Sequence, residues 1–157
     1  MDIIEQEIEK AKESEAFLAE LALALTIPSV CSRFLFSTKK TESVRYPEWY
    51  NKYVEFPGLD GNECYALRCA LLHNGDDELE KQSILKNDAT YQENRYKLHI
   101  PYSGDIFGFE REDNFKEFCV AGLAVCILDG YRAFKGEYPS FKYPLNEKNL
   151  EVSHGSL

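Results

Sequence analysis

The sequence predicts a mostly α-helical fold with a small β-hairpin before the last long helix. Apolar residues recur at helical spacing in the N-terminal, central and C-terminal parts of the chain. Only the segment that starts at residue 96 shows the alternation of apolar and polar side chains that is typical of a strand. The 157 residues, 44% hydrophobic and 29% charged, suffice for one domain with its own core.

The first 26 residues are predicted to form one long helix. Asp2, followed three residues later by Glu5, fits a capping box at its start. An apolar face then continues to about Thr26. Pro28 cannot lie inside this helix, because proline lacks an amide proton and collides with the preceding turn. A second short helix is therefore predicted from about Pro28 to Leu35.

A polar loop at residues 37–43 leads to another short helix. Pro47 suits the first position of a helix, so this one is predicted to run from about Pro47 to Val54. Its aromatic side chains could stack on nucleic-acid bases, but packing of the domain or of a subunit contact is the preferred interpretation. They are Trp49, Tyr50 and Tyr53.

The helix predicted after Asp60 has clear signals at both ends and carries two groups that can act on a phosphate. Asp60 and Glu63 fit a second capping box, and Gly75 fits the left-handed residue that follows a helix. The helix is therefore predicted to end near His73 or Asn74. Arg68 and His73 are the two phosphate-directed groups. An apolar stripe is formed by Cys64, Leu67, Ala70 and Leu71.

Acidic residues after Gly75 indicate the solvated first turn of a helix that runs to about Leu85. This interpretation is preferred to a metal site for Asp76, Asp77, Glu78 and Glu80. The pattern then changes to alternation, which predicts a protruding hairpin between about Tyr96 and Phe109, with its turn at residues 103–105.

The last long helix is predicted from Asn114 to Phe134, capped by Asp113. Apolar residues surround most of its circumference, as is typical of a central core helix, and Gly122 and Gly130 would allow close approach of a neighbour. A polar tail is expected from Lys142. The predicted organisation is thus one domain, residues 1–141, and a tail, residues 142–157.

Composition limits the partners and the compartment. The formal net charge of -9 argues against a broad basic face, so any nucleic-acid contact must come from a local cluster of cations. Five cysteines with no CxxC pair indicate reduced thiols in a core, and no secretory signal precedes them. The longest apolar run, residues 120–128, is too short for a bilayer. We therefore expect a cytoplasmic protein without a membrane partner.

Arg68 and His73 are a minimal set of groups for cleaving RNA without a metal. A histidine can take or give a proton near neutral pH, and an arginine offers a permanent planar fork to phosphate oxygens. We expect no metal or cofactor. On an ideal helix, however, two residues five positions apart are separated by about 7.5 Å of rise and about 140° of rotation. Either the helix unwinds at His73, or a second copy presents the same groups across a two-fold axis.

The segment Arg68-Cys-Ala-Leu-Leu-His73 resembles the Arg-x4-His signature of the HEPN superfamily, in particular a subgroup found in plasmid and phage-defence contexts. The resemblance implies a helical bundle and a homodimer whose composite cleft holds two Arg and two His. It also implies a metal-independent endoribonuclease, a toxin or defence effector, with RNA or nucleotide as ligand and an antitoxin or regulatory protein as a possible partner. Tyr65, Glu63 and Asn74 are the candidates for supporting or substrate-binding residues.

Two other interpretations stay open. A non-catalytic HEPN module that binds nucleotide or a partner protein is favoured by the acidic charge and by Cys69, which lies where many active members carry a polar residue. In a purely structural helical dimer, the Arg-His pair would lie in the interface. A separate alternative for the pair itself is that it has no function: Arg68 would pair with a surface carboxylate, and His73 would only close a helix end.

Overall fold

The computed structural model describes residues 1–36, 39–100, 109–112 and 115–145, and it is mostly helical, as predicted. A five-residue π-helical turn, Ala70–Asn74, extends the helix Gly61–Cys69, and a short 3₁₀ helix, Leu79–Lys81, precedes the helix Ser83–Lys86. The helices are α1 (Ile3–Glu13), α2 (Phe17–Ala24), α3 (Ile27–Phe36), α4 (Glu42–Tyr53), α5 (Gly61–Cys69), α6 (Ser83–Lys86) and α7 (Val120–Glu137). The strands are β1 (Arg95–His99), β2 (Phe109–Glu112) and β3 (Phe115–Cys119).

Helix α7 is the central core helix, as the sequence predicts. It packs against α2, α3, α4 and β3, and ten of its residues are buried. Helix α4 packs against α7 on one side and against α5 on the other, so it lies between them. Trp49 and Tyr50 of α4 are almost fully buried, which confirms that they pack the domain. Tyr53 contacts Trp49 and Phe134 at ring-centroid distances of 5.1 and 5.5 Å.

The predicted hairpin is wrong in its pairing. Strand β1 pairs in parallel with β3, while β2 pairs antiparallel with β3, so the order is β1-β3-β2. The predicted turn at residues 103–105 lies outside the described residues. Residues 115–119 form a strand instead of the first turns of the last helix, which therefore starts at Val120 rather than at Asn114.

The predicted N-terminal helix is two helices. Helix α1 has the predicted Asp2–Glu5 capping box but ends at Glu13, and Glu15 takes a left-handed conformation with φ 55°. Helix α3 begins at Ile27, with Pro28 in its first turn, close to the prediction.

The stretch Phe17–Phe36 is long and apolar enough to span a membrane, with a mean hydropathy of 1.5, but 44% of it is buried inside the protein. Leu21, Leu25, Ile27 and Cys31 of this stretch are fully buried, whereas Leu18 and Phe34 are 45% and 46% exposed.

Three other predicted boundaries move. Helix α4 begins at Glu42, so Pro47 lies in its second turn rather than at its start. The helix predicted up to Leu85 is instead the 3₁₀ turn and the four-residue α6. The core continues past residue 141, because Tyr143 is buried and its hydroxyl lies 3.3 Å from Thr26 Oγ1. Residues 146–157 of the predicted tail lie outside the described part of the chain.

All five cysteines are free thiols, as predicted. Cys31, Cys64 and Cys119 are buried, and Cys69 and Cys126 are half-buried. Burial, the largest cause, raises the pKa of Cys64 to about 12, so this thiol stays protonated near neutral pH.

Gly130 lets α7 approach α4, and its replacement tests this packing. A Cβ at Gly130 would lie 2.6 Å from the Tyr53 carbonyl oxygen, whereas a Cβ at Gly136, in the same helix, would meet none of the described atoms within 4 Å. Gly130→Ala should lower the free energy of unfolding by about 1–3 kcal/mol, because backbone must move. The matched Gly136→Ala should raise it by up to about 1 kcal/mol. Urea denaturation measures both, and equal effects would contradict this account.

Candidate functional site

Helix α5 carries Arg68 and, with the π turn that follows it, His73, and we call it the motif helix; its own side chains hold its start. Asp60 Oδ1 accepts from the Glu63 amide at 2.9 Å, and Glu63 Oε1 accepts from the Asp60 amide at 3.2 Å, which confirms the predicted capping box. The next amide, that of Gly61, donates to Asn51 Oδ1 of α4 at 2.7 Å. These bonds fix the direction of α5 against α4 and hence the position of Arg68.

A π-helical turn ends the motif helix and brings its two phosphate-directed groups together. The Gly75 amide donates to the carbonyl oxygen of Ala70, five residues earlier, and Gly75 takes the predicted left-handed conformation with φ 69°. A π turn winds by less per residue than an α-helix, so the rotation between Arg68, in the last turn of α5, and His73, in the π turn, is smaller than on an ideal α-helix. Arg68 Nη1 and His73 Nε2 lie 3.4 Å apart.

The contact between Arg68 and His73 is compatible with only some protonation states of the imidazole ring. A guanidinium can only donate, so a hydrogen bond between the two groups requires Nε2 of His73 to be the acceptor, that is, to carry no proton. His73 and Asn74 are both exposed at the end of the π turn. A substrate can therefore reach the imidazole directly from solvent.

Arg68 is held from three sides and is only 17% exposed in its side chain. Its Nη2 lies 3.3 Å from Glu42 Oε1, and its guanidinium carbon lies 5.9 Å from the centre of the Tyr65 ring. Nε is buried without an acceptor among the described residues. Each terminal nitrogen still has a second proton, so the planar fork can bind further oxygens.

Tyr65 lies one turn before Arg68 and keeps its proton near neutral pH. Burial, followed by the charges of nearby Cys69 and Glu42, raises the pKa of Tyr65 to about 12. Its ring lies 5.2 Å from that of the fully buried Tyr46. Tyr65 thus has a fixed ring beside the guanidinium and a hydroxyl that remains a hydrogen-bond donor.

Glu63 belongs to a different part of the molecule from the Arg68–His73 pair. Its side chain is only 2% exposed, and its Oε2 accepts from the Tyr96 hydroxyl and from Lys116 Nζ, both at 2.6 Å. Nearby, Asp60 Oδ2 accepts from the Tyr91 hydroxyl at 2.5 Å. Glu63 therefore joins the motif helix to strands β1 and β3.

Glu42 is the site residue that sequence reasoning missed. The sequence places it in the predicted polar loop, because Pro47 suits the first position of a helix. The overlooked signal is Thr41 followed by an acidic residue, since Thr41 is the N-cap of α4 and Glu42 its first residue. The Arg68–Glu42 ion pair is also what the structural interpretation of Arg68 anticipated.

The residues gathered at the π turn can bind an anion and exchange a proton. Arg68 supplies positive charge, His73 an imidazole that can exchange a proton, and Tyr65 a hydroxyl donor. The described parts of the chain contain no group of three or more His, Cys, Asp or Glu side chains that could hold a metal ion. Comparison of the chain with family models, with curated proteins and with solved structures gave no match in any of the three.

Proposed function

We propose that the protein is a metal-independent endoribonuclease of the HEPN type, acting as a toxin or defence effector. The observation that carries the proposal is the 3.4 Å contact between Arg68 Nη1 and His73 Nε2 on a capped helix. The Arg-x4-His spacing gives the family resemblance, and the π turn supports one joint site because it reduces the rotation between the two residues.

Each residue has a distinct role in this proposal. His73 takes the proton from the RNA 2′-hydroxyl when its Nε2 carries no proton, or, in the protonated imidazolium form, gives a proton to the leaving 5′-oxygen. Arg68 binds the phosphate oxygens as negative charge develops on them, and Glu42 holds the guanidinium in position. Tyr65 donates a hydrogen bond or packs against a base, and Asn74 contacts the phosphate beside His73.

The proposal includes a symmetric homodimer with the motif helices facing each other. One histidine cannot be base and acid at once, and a second copy across a two-fold axis would supply another. Leu72, beside His73 on the π turn, is 39% exposed and would be covered in such an arrangement. The cleft would then hold two Arg68–His73 pairs.

The test uses the full chain and RNA in the presence of EDTA. Cleavage should persist and should leave 2′,3′-cyclic phosphate ends, because the 2′-oxygen attacks the adjacent phosphorus. Sedimentation at tens of micromolar should give twice the 18.1 kDa mass of the chain. Loss of cleavage in EDTA, or products without cyclic phosphate, would reject this mechanism, and a monomer would reject the composite site.

One observation favours a second candidate, a non-catalytic module that binds nucleotide or a partner protein. Glu42 already neutralises part of the charge of Arg68, with side chains 30% and 17% exposed respectively. An arginine that is paired with a glutamate can bind a phosphate without catalysing its cleavage. This candidate is supported if the protein binds nucleotide, with Arg68 required, but leaves RNA intact under every condition.

A further inference from the structure

An open cleft of about 520 Å³ lies beside the Arg68–His73 pair, between α3, α4 and residues 141–144. Its volume is in the range of sites that hold small organic ligands. Glu42 lines this cleft and also contacts Arg68, so the cleft and the pair share one wall. A ligand that fills the cleft therefore lies next to the proposed cleavage site.

The cleft is locally basic in an acidic protein. Arg33, Arg45 and Lys142 line it, against the single carboxylate of Glu42, which is already paired with Arg68. Arg45 donates only to neutral oxygens, those of the Ser29 carbonyl and the Ser32 hydroxyl, both at 3.4 Å. Within the described ranges no ion pair joins these three cations to a carboxylate. As far as the described residues go, this positive charge is therefore available to an external anion.

Two further features of the cleft suit a nucleotide. The hydroxyl oxygen of Ser29 is buried and has no partner among the described residues, so a donor or acceptor on a ligand can satisfy it. Phe34 is 46% exposed, yet its ring is fixed by edge contacts to Phe134 and Phe141 at 6.1 and 5.2 Å. A fixed, exposed ring is a platform on which a base can stack.

We propose that this cleft binds a nucleotide of the RNA strand that flanks the phosphate held by Arg68. Its phosphate lies against Arg33, Arg45 and Lys142, and its base stacks on Phe34. The cleft is thus the local cluster of cations that an acidic chain needs for contact with nucleic acid. The inference rests on the proposed function in one respect, that the same RNA strand occupies both the cleft and the Arg68–His73 pair. Binding of a nucleotide in the cleft does not depend on cleavage.

The test measures binding of a fluorescein-labelled 2′-O-methyl hexanucleotide, which lacks the attacking hydroxyl, by fluorescence polarisation. Arg33→Gln/Arg45→Gln should weaken binding at least ~10-fold. The control, Lys52→Gln/Lys97→Gln, removes the same charge from cations outside the cleft, each paired with a carboxylate, and should change affinity less than ~2-fold. Equal weakening by both pairs would overturn the proposal.

Two further measurements keep the test independent of folding and of catalysis. Arg33→Gln alone changes an exposed side chain and should still weaken binding, and Phe34→Leu should do so without changing the salt dependence. If RNA is cleaved, Arg33→Gln should raise KM and leave kcat unchanged. Cleft-dependent binding without any cleavage would refute the proposed function alone. Cleavage with unchanged KM and unchanged binding would refute the cleft alone.

Discussion

Replacing His73 with alanine should lower the kcat for RNA cleavage at least ~100-fold, because general acid–base catalysis by a positioned side chain contributes at least that much. The loss should not come from unfolding. His73 is exposed at the end of the π turn, and surface changes of this kind alter stability by about 0.5 kcal/mol or less. Single-turnover cleavage and a urea titration of the same preparation separate the two effects.

His154→Ala is a matched control, since it also removes one of the three histidines of the chain. It should cleave like the unchanged protein. A His73→Ala variant that retains full cleavage would show that His73 does not transfer the proton.

Arg68→Lys, the companion variant, separates the possible roles of the arginine. Lysine keeps the charge next to Glu42 but loses the planar fork that matches phosphate oxygens. We expect the variant to fold and assemble normally and to lose activity mainly through a lower kcat for RNA cleavage. A role limited to the ion pair would leave cleavage unchanged, since such pairs contribute about 0–1 kcal/mol. A role in the subunit contact would weaken assembly instead.

The part of the site that sequence could predict is the part that short-range chemistry determines. The Asp60–Glu63 capping box and the left-handed Gly75 are both local signals, and both are confirmed. The π turn has no such signal, because Ala70-Leu-Leu-His-Asn74 is compatible with an ordinary α-helical turn. Sequence reasoning could therefore identify Arg68 and His73 as one unit but could not predict their direct contact.

The sheet was mispredicted because pairing of strands depends on contacts distant in sequence. Alternation correctly indicated β1, but it carries no information about the partner, which is β3, some 20 residues later and parallel. The last residues of β3, Phe118 and Cys119, are buried like the start of α7. Their apolar run merged with that of the helix and hid the change of period.

Glu20 is a buried carboxyl group that should make the stability of the protein depend strongly on pH. It lies in α2, is 1% exposed, and neither of its oxygens has a partner among the residues described. Burial, the largest cause, raises the pKa of Glu20 from the usual 4.5 to about 7, with Lys12 opposing the rise and Glu9 adding to it. The folded protein therefore keeps this carboxyl protonated over a pH range in which the unfolded chain does not.

Glu20→Leu should stabilise the protein at pH 8.5 more than at pH 4.5, by about 3 kcal/mol. A raised folded-state pKa means that the folded state binds more protons between pH 4.5 and 7, so stability falls as pH rises through this window and stays low above it. Leucine has no charge to desolvate, so the stability of the variant does not fall in this way as pH rises. Urea denaturation at both pH values gives the difference. Glu13→Leu, an exposed carboxyl of α1, should change stability by about 0.5 kcal/mol or less at either pH. An equal gain from Glu20→Leu at the two pH values would mean that burial does not hold the proton on Glu20.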